Sequence, residues 1–398
     1  MGRRMQTRDE VFGIPYGTRD LLPTEAREKR AIESLLAEGF AKWGYDEIVT
    51  PAFEFVDTLT LGNGRRIEPY MFKFFDRQNR TLALRHEMTT PIARVVASRM
   101  KGVEMPLKLF YLSPVYRYEQ AQTGRQCEFY QAGVEFMGSN SEAADAEIVA
   151  LAVSSMKNAG LKNFQVCLGQ VDFIHGLMQE LHLDERAQET VKSALEAHDL
   201  VGLRVLADQA GLSPKEKDIL LGVPLLHGRM EILQKARTMA TNTQSLRALD
   251  NLQAIYQLLQ AYGAEEYVTF DLGIIRDFGY YTGMVFEAYT PGLGFPLCGG
   301  GRYDRLLSDF GRGCPATGFA LGIERVMLAL ERENLKSPAS QKGTYISYTA
   351  NKREEAIRLA EERRAAGEIV ELSPSEETKD EAVRRQKARK YRELVYLE

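Results

Sequence analysis

Two polar residues beside a short strand-like segment have types that suit ligand binding. Glu87 and Thr89 stand two residues apart where a helix is predicted to begin, since helical spacing continues from Pro91. A carboxylate at this place can hold an ammonium group, and the hydroxyl beside it can donate or accept a hydrogen bond. The alternative is that both side chains only cap the first turn of the helix. Local spacing leaves both interpretations open.

A second group of polar residues lies on a predicted hairpin, whose loop carries Glu119 and Arg125. Arg117 ends the first strand, and Gln131 and Glu135 lie on the returning strand. Because side chains alternate between the two faces of a strand, these three can converge on one sheet face. An arginine there can grip a carboxylate or a phosphate through two parallel hydrogen bonds. The alternative is an exposed hairpin laced with salt bridges.

A third group combines one cation with two adjacent aromatic residues. Arg276 precedes Tyr280 and Tyr281 by four and five residues, on the way into a predicted strand. Tyrosine rings can form the walls of a pocket, and their hydroxyls can bind a polar ligand. The alternative is a tyrosine-rich strand that only packs on neighbouring helices.

Glycines mark the last pair of segments. Three consecutive glycines at 299–301 let a ligand approach the backbone closely. Gly318 and Gly322 are four residues apart, which predicts a tightly packed helix over 318–333 that carries Arg325. The chain holds no GxxxxGK[ST] sequence, and its glycine spacing differs from the dinucleotide fingerprint. Neither a P-loop nor a dinucleotide site is therefore predicted.

The surrounding pattern predicts the elements that position these residues. A helix is expected over 23–42, because Pro23 suits a helix start and apolar residues recur at helical spacing. Residues 70–136 alternate like an antiparallel sheet, whereas 172–263 lack strand signals and predict four to six helices. Alternating strands and helices after a polar linker predict a final α/β domain. The predicted domains are a core in two parts (1–171 and 265–333), a helical insertion (172–264) and a C-terminal α/β domain (343–398).

Composition excludes several classes of protein. The 398 residues are 44% hydrophobic and 27% charged with a formal charge of −4, which is typical of a globular chain and argues weakly against nonspecific nucleic-acid binding. No run of about 18 apolar residues and no secretory pattern exist, so no membrane segment is expected and the cytoplasm is the expected location. The four cysteines form no CxxC pair and the five histidines are scattered, so no metal or other cofactor is expected.

Taken in order, these segments resemble the catalytic core of class II aminoacyl-tRNA synthetases, most closely the histidine-specific members. The matching segments are 40–51, 116–131, 276–281, 299–304 and 318–325. In that family the first of them forms a dimer interface. The resemblance covers about residues 12–333 and implies an α+β fold, in which helices flank an antiparallel sheet that carries a helical insertion and a small C-terminal α/β domain.

The resemblance also implies a histidine pocket without catalytic residues. The residues that it assigns to histidine are Glu87, Thr89, Arg117, Gln131, Glu135, Arg276, Tyr280 and Tyr281. Glu87 and Thr89 would hold the α-ammonium group, and Glu135 and Tyr281 would face the imidazole. The remains of an ATP site would be Arg117, Glu119, Arg125 and Arg325.

Departures from the synthetase pattern fall on the expected ATP site. Gln120 and Cys127 stand where the synthetases carry arginines. Before the tyrosine pair the synthetases read Gly-Leu-Asp, whereas this chain reads Asp-Phe-Gly at 277–279, so the acidic residue stands two positions earlier. Each missing charge-assisted contact would cost about 1.5–3 kcal/mol. The resemblance therefore implies that ATP binds weakly or not at all. The C-terminal domain is also shorter than an anticodon-binding domain, and no tRNA partner is expected.

A histidine pocket beside a damaged ATP site is similar to one paralogous family, the regulatory subunits of ATP phosphoribosyltransferase. The run 88–94 and the stretch 280–292 resemble that family more than the true synthetases. The resemblance implies a homodimer, L-histidine as effector, and a hetero-octamer with four copies of a short catalytic chain. Two alternatives are a true histidyl-tRNA synthetase and a stand-alone histidine-adenylating ligase.

Overall fold

The computed structural model describes residues 12–118, 126–274, 280–335 and 342–398. The chain divides into two compact units. The first is built from Met1–Leu21 and Ile32–Leu335, and the second from Leu22–Ala31 and Lys336–Glu398. Among the described residues, none of the helices combines the length and the apolar character needed to cross a membrane.

A nine-stranded sheet forms the centre of the first unit. Its strands, in chain order, are β1 (Asp46–Glu47), β5 (Leu107–Tyr116), β6 (Glu128–Met137), β7 (Gln165–Gln170), β8 (His227–Gly228), β9 (Val268–Asp271), β10 (Met284–Tyr289), β11 (Cys298–Arg302) and β12 (Ala316–Gly322), with β2 to β4 in a separate sheet. The spatial order is β1-β5-β6-β12-β11-β10-β7-β9-β8. Most neighbours are antiparallel, which confirms the predicted fold class. The pairs β1 with β5 and β7 with β9 are parallel, so the sheet is mixed.

Helices cover this sheet on both faces. In chain order they are α1 (Pro23–Lys42), α2 (Val56–Asn63), α3 (Thr89–Arg99), α4 (Glu142–Asn158), α5 (Val171–Glu180), α6 (Glu185–Glu196), α7 (Leu200–Gln209), α8 (Pro214–Gly222), α9 (Glu231–Arg237), α10 (Thr243–Ala261), α11 (Leu306–Asp309) and α12 (Ile323–Arg332). The largest apolar cluster joins the second half of α1 and α4 to one sheet face. A smaller cluster under α3, around Met88 and Ile92, lies on the opposite face. The site residues belong to this second face.

Two strands of the predicted antiparallel region 70–136 form a separate small sheet with an earlier strand that sequence analysis did not predict. These are β2 (Phe53–Phe55), β3 (Lys73–Phe75) and β4 (Thr81–Leu84), in the order β2-β4-β3. The polar turn between β3 and β4 is fixed by Asp76, whose Oδ1 accepts hydrogen bonds from the backbone N–H groups of Gln78 (2.8 Å) and Arg80 (2.9 Å). The expectation of a single sheet over 70–136 was therefore wrong, because alternation predicts strands but not their partners.

The helical insertion holds six α-helices, α5 to α10, and all of its residues are described. This confirms the predicted four to six helices. Local caps set the helix starts, as at α8, where Ser213 and Glu216 form a capping box. The short strand β8 departs from the expectation that strands are lacking here, and it pairs with β9 at the sheet edge.

The helix predicted over 318–333 was wrong in its first part. Residues Ala316–Gly322 form strand β12, which pairs antiparallel with β6 on one side and β11 on the other. The helix α12 begins only at Ile323. Gly318 is required here for space, because a Cβ would collide with Oε2 of Glu135 and with the carbonyl oxygen of Val134.

The second unit contains a three-stranded parallel sheet. Strand β13 (Lys342–Tyr348) lies between β14 (Val370–Leu372) and β15 (Tyr391–Leu397), and the helices are α13 (Arg353–Ala365) and α14 (Lys379–Ala388). One apolar cluster joins α13 to Ile346. Another joins α14 to Tyr345 and Tyr391, whose rings stack 5.1 Å apart. This alternation of strands and helices is the predicted one.

Candidate functional site

The floor of the candidate site is a row of residues across four strands. Leu109, Glu135, Gly318 and Gly301 are successive cross-strand partners on β5, β6, β12 and β11. Glu135 is the only member of this row with a polar side chain. Its carboxyl group lies over Gly318, and the ring of Tyr281 lies over Gly301. Sequence analysis predicted that the glycines at 299–301 let a ligand approach the backbone, and this stays a prediction. Gly318 was predicted to allow helix packing, and the structure instead places it beside the buried carboxyl group.

Glu135 is almost completely buried, with 2% of its surface exposed. Its Oε1 accepts a hydrogen bond from the Thr89 hydroxyl (2.7 Å), and its Oε2 accepts one from the Tyr303 hydroxyl. Burial raises the pKa of Glu135 to about 8, although the two hydroxyl donors lower it, and the nearby Glu87 carboxylate raises it further. Burial therefore favours the protonated form of this carboxyl group.

Glu87 uses its carboxylate to cap helix α3. Its Oε2 accepts a hydrogen bond from the backbone N–H of Thr89 (2.6 Å), and its Oε1 accepts one from that of Thr90 (3.0 Å). Burial raises the pKa of Glu87, against these hydrogen bonds and the positive charge of Arg117. The capping alternative thus describes Glu87, whereas the Thr89 hydroxyl turns to Glu135. Contact of either residue with an ammonium group stays a prediction.

Four tyrosines enclose this face of the sheet. Tyr280 lies between Tyr281 and Tyr303, with ring centroids 4.9 and 5.7 Å away. Tyr281 stands over Gly301, where a Cβ would lie 3.0 Å from its ring. Tyr111 is fully buried beside Gly133, and its pKa is raised well above its usual value by burial and by the charge of Glu135.

Sequence analysis missed Tyr303 and Tyr111. Tyr303 lies two residues after Gly301 at the end of a strand, so the alternation of side chains carried a signal that both share a face. Tyr111 had a similar signal, because Gly133 and Glu135 alternate on the paired strand.

Gln131 lies two residues before Gly133 on the same face of β6, so it shares that face with Glu135. Its side-chain oxygen is buried and accepts no hydrogen bond from any described residue. A buried acceptor of this kind is rare unless a ligand or water supplies the donor. The structure therefore brings Gln131 to the site with an unused hydrogen-bonding group.

The remaining predicted residues lie at the margin or outside the described chain. Arg117 donates a hydrogen bond from Nε to the carbonyl oxygen of His86 (3.0 Å) and lies 5.3 Å from the ring centroid of Phe129. Arg325 donates from Nη1 to the carbonyl oxygen of Pro296 (2.5 Å). The residues that lie outside the described ranges are Glu119, Arg125 and Arg276.

Arg302, within the glycine-rich signature, holds the framework of the site. Its Nε and Nη2 donate to the two carboxylate oxygens of Asp145 on α4 (3.0 and 2.9 Å), and Nη1 donates to the carbonyl oxygen of Ser139 (3.0 Å). Both side chains of this pair are nearly inaccessible to solvent. Because Tyr303 is the next residue, the buried pair fixes the strand end that carries the hydrogen bond to Glu135.

Cys127, where the synthetases have an arginine, is buried against a turn near the N-terminus. Its backbone N–H donates to the carbonyl oxygen of Gly17 (2.7 Å), and its own carbonyl oxygen accepts from the N–H of Arg117 (2.8 Å). A Cβ at Gly17 would collide with Sγ of Cys127. The turn therefore occupies the space that a longer side chain at position 127 would need.

Groups of histidine, cysteine and carboxylate residues arranged to hold a metal ion are absent from the described ranges. The four cysteines are all free thiols.

Comparisons with known proteins agree with this architecture. The sequence profile of the histidyl-tRNA synthetase family matches residues 17–326. A protein of Moorella thermoacetica named ATP phosphoribosyltransferase regulatory subunit is 45% identical over 376 residues, which cover 94% of this chain and 96% of that protein. A protein of the same name from Desulforamulus reducens is 46% identical over 322 residues, which cover 81% of this chain and 80% of that protein.

Solved structures show the same similarity. The crystal structure of an ATP phosphoribosyltransferase regulatory subunit/histidyl-tRNA synthetase from Bacillus halodurans C has a TM-score of 0.86 and 36% identity, covering 98% of this chain and 99% of that one. Histidyl-tRNA synthetase from Nostoc sp. PCC 7120 has a TM-score of 0.82 at 20% identity, covering 95% and 89%, and shares the fold. The chain belongs to the family of ATP phosphoribosyltransferase regulatory subunits, which has the histidyl-tRNA synthetase fold.

Proposed function

We propose that this chain is the non-catalytic regulatory subunit of an ATP phosphoribosyltransferase in the first step of histidine biosynthesis. A short catalytic chain requires it for activity, and it confers feedback inhibition by L-histidine. The observation that carries this proposal is the similarity to proteins of that name along nearly the whole chain. The regulatory role within histidine biosynthesis follows from the family, whereas the absence of catalysis, the partner and the effector are proposed.

The geometry around Glu135 supports histidine as the effector. An imidazole offers one N–H donor and one nitrogen acceptor, and a carboxyl group flanked by tyrosine hydroxyls can satisfy both. Gln131 adds an acceptor that has no donor among the described residues. Histidine can regulate only if it binds the inhibited assembly more tightly than the active one. We therefore assign the eight residues predicted from the sequence to effector binding. Seven of them are described, and Arg276 lies outside the described ranges.

The test is the phosphoribosyltransferase activity of the short catalytic chain, measured alone, with this chain, and with added histidine. We expect activation on mixing and reversal of that activation by histidine. Absence of activation would contradict the proposal. In that case histidine-dependent exchange of pyrophosphate into ATP by this chain alone would indicate a ligase or a synthetase.

Two substitutions test the position of the effector site. Glu135→Ala removes the buried carboxyl group, and Tyr281→Phe removes the hydroxyl of the ring over Gly301. Both should weaken inhibition by histidine, by about two- to tenfold for a lost neutral hydrogen bond. A matched control is Glu185→Ala, which removes an exposed carboxylate on the helical insertion. Unchanged histidine sensitivity in both site variants would place the effector site elsewhere.

We also propose how the chain assembles. Two copies form a homodimer through the synthetase-like core, and four regulatory chains join four catalytic chains in a hetero-octamer in the cytoplasm. Exposed apolar side chains in and next to the segment resembling the dimer motif support the homodimer. Val49 within it is 79% exposed, and Phe53, two residues beyond it, is 51% exposed. Light scattering measures the molar mass in solution. The unmodified chain alone should give the mass of a dimer, and Val49→Glu should dissociate at a higher protein concentration. A monomer in both proteins would contradict this arrangement.

A further inference from the structure

Helix α7 differs from an ordinary surface helix because it carries apolar side chains on both of its sides. Leu203, Leu206 and Ala207 form its buried side. Val201 and Val205, which lie one turn apart on the opposite side, are 74% and 49% exposed. A helix that is apolar all round is normally buried all round. The exposed side of α7 therefore has the composition of a covered surface.

The neighbouring helix α6 shows the ordinary pattern. Val191 and Leu195 are buried, whereas its exposed positions include the charged residues Glu185, Arg186 and Glu189. A polar outer side of this kind is expected wherever water covers a helix. The apolar outer side of α7 is therefore not shared by the helix that precedes it.

The exposed apolar side chains extend from α7 to the turn formed by Val223–Leu225. Leu200, at the start of α7, is 48% exposed, and Leu225 is 56% exposed. Leu200 and Pro224 line the same small recess, and Leu225 follows Pro224 directly, so the two segments adjoin. We call the following four residues the α7 surface: Leu200, Val201, Val205 and Leu225. Clustered exposed apolar residues with a polar border mark sites of protein association.

The recess beside the α7 surface contains two carboxylates, those of Asp199 and Asp271. Oδ1 of Asp199 accepts a hydrogen bond from the backbone N–H of Gly202 (2.8 Å), and Oδ1 of Asp271 accepts one from that of Gly273 (2.9 Å). In the described part of the chain, neither carboxylate forms a salt bridge with a lysine or an arginine. The recess therefore presents negative charge to a partner.

Burial raises the pKa of Asp271, and Glu287 adds to the rise, whereas the hydrogen bond from Gly273 and the nearby His227 and His198 lower it. A cation that reaches the recess would stabilise the ionised form. A lysine or arginine side chain suits this place, because its apolar stem can lie on Leu200 while its charged end meets the carboxylates.

We propose that the α7 surface is the docking site for the short catalytic chain, which presents apolar side chains to α7 and a lysine or arginine to the recess. The inference rests on the proposed function and names the surface that binds the partner. Because Val49 follows β1 and Asp271 ends β9 beside β8, the proposed dimer contact and the recess lie at opposite edges of the nine-stranded sheet. A regulatory chain can therefore bind its own copy and a catalytic chain at the same time.

A second copy of this chain suits the α7 surface less well. Contact of this surface with itself about a two-fold axis would bring both acidic recesses to one interface. Like charges placed opposite each other there would repel.

The test measures how tightly the short catalytic chain binds this full chain, and how much of this chain half-maximal activation requires. Biolayer interferometry gives the dissociation constant, and a titration of phosphoribosyltransferase activity gives the activating concentration. The double variant Val201→Glu with Val205→Glu should raise both values about tenfold or more. Ile369→Glu is the matched control, because it places a glutamate at an exposed apolar residue of the second unit, and it should bind as the wild type does.

The charge of the recess is tested separately. The double variant Asp199→Asn with Asp271→Asn removes both charges but keeps the oxygens that accept the backbone hydrogen bonds. It should slow association and reduce the dependence of the dissociation constant on salt concentration. Asp184→Asn is the matched control, since Asp184 caps α6 through the N–H of Ala187 (2.8 Å) at the end of that helix away from the recess. The double asparagine variant also gives an independent result if the double glutamate variant fails to fold.

The contrary results are distinguishable. Wild-type affinity in the double glutamate variant would exclude the α7 surface, while activation by the wild type would leave the proposed function standing. Loss of the homodimer by that variant, measured as molar mass in light scattering, would make the α7 surface a contact between copies of this chain. An unchanged salt dependence in the double asparagine variant would exclude a basic side chain in the recess. If the wild type itself neither bound nor activated the catalytic chain, the proposed function would fail and the inference with it.

Discussion

Replacing Arg302 should destabilise the first unit far more than replacing an exposed arginine. The Arg302→Met change keeps much of the side-chain volume but removes a guanidinium group that donates five hydrogen bonds, to Asp145, Ser139, Ser141 and Asp304. Asp145 is 1% exposed, so its carboxylate would remain buried without its partner. Breaking one partner of a buried ion pair costs about 3–5 kcal/mol.

The control is Arg80→Met, because Arg80 also pairs with an aspartate, Asp76, at 2.7 Å, but its side chain is 58% exposed. Exposed pairs contribute only about 0–1 kcal/mol. The double variant Arg302→Met with Asp145→Leu removes both charges and should recover part of the loss, because no unpaired charge is then buried. The predicted order of stability is therefore Arg80→Met, then the double variant, then Arg302→Met.

Urea unfolding measures these differences through Trp43, the single tryptophan, which stacks on Tyr262 with ring centroids 5.6 Å apart. Its fluorescence reports the first unit, and circular dichroism at the same urea concentrations reports the whole chain. The reasoning would be refuted if Arg302→Met cost no more than Arg80→Met, or if the double variant were less stable than Arg302→Met.

Three further outcomes are expected. Gly318→Ala should weaken histidine binding tenfold or more in calorimetry, because the added Cβ collides with Oε2 of Glu135, whereas Gly102→Ala has open space and should bind normally. Gly17→Ala should lower stability by about 1–3 kcal/mol in urea, since its φ is +73° and Sγ of Cys127 fills the space. Burial, and secondarily the charge of Arg117, lowers the pKa of His86 to about 3. Because the unfolded chain therefore binds a proton at a higher pH than the folded one, the free energy of unfolding should decline from about pH 6.5 towards pH 3. His86→Leu should flatten this decline, and an unchanged pH profile would contradict the prediction.

Local signals in the sequence predicted helices best where caps and periodicity agreed. Helix α1 runs over Pro23–Lys42 as predicted, because proline suits the first helical position and the apolar face repeats at helical spacing. The insertion and the C-terminal alternation of strands and helices were predicted for the same reason. These features depend on neighbours along the chain and not on distant partners.

Features that depend on distant partners were predicted less well. The glycines at 318 and 322 suit close packing in either a helix or a strand. The first of them is explained by the paired strand β6, through the carboxyl group of Glu135 and the carbonyl oxygen of Val134. The separate small sheet likewise depends on the pairing of β2 with β4, which alternation does not specify.

The candidate site shows the same contrast between local signals and features that depend on distant partners. The resemblance selected Glu87, Thr89, Glu135, Tyr280 and Tyr281, and the structure brings these residues together on one face of the sheet. The resemblance did not predict which of these residues form hydrogen bonds with one another. Glu87 caps a helix, whereas Thr89 donates to a carboxyl group 46 residues away in sequence. Such assignments require the positions of both partners.

The surroundings of Cys127 predict how an arginine at this position would affect the chain. An arginine at this position would need the space that the Gly17 turn fills, and the same turn accepts the backbone hydrogen bond of Cys127. Inserting a long cation into such a packed contact costs about 1–3 kcal/mol or more before it could meet a phosphate. An arginine could be placed here only if the N-terminal segment moved. We therefore expect Cys127→Arg alone to lower stability without any ATP–pyrophosphate exchange.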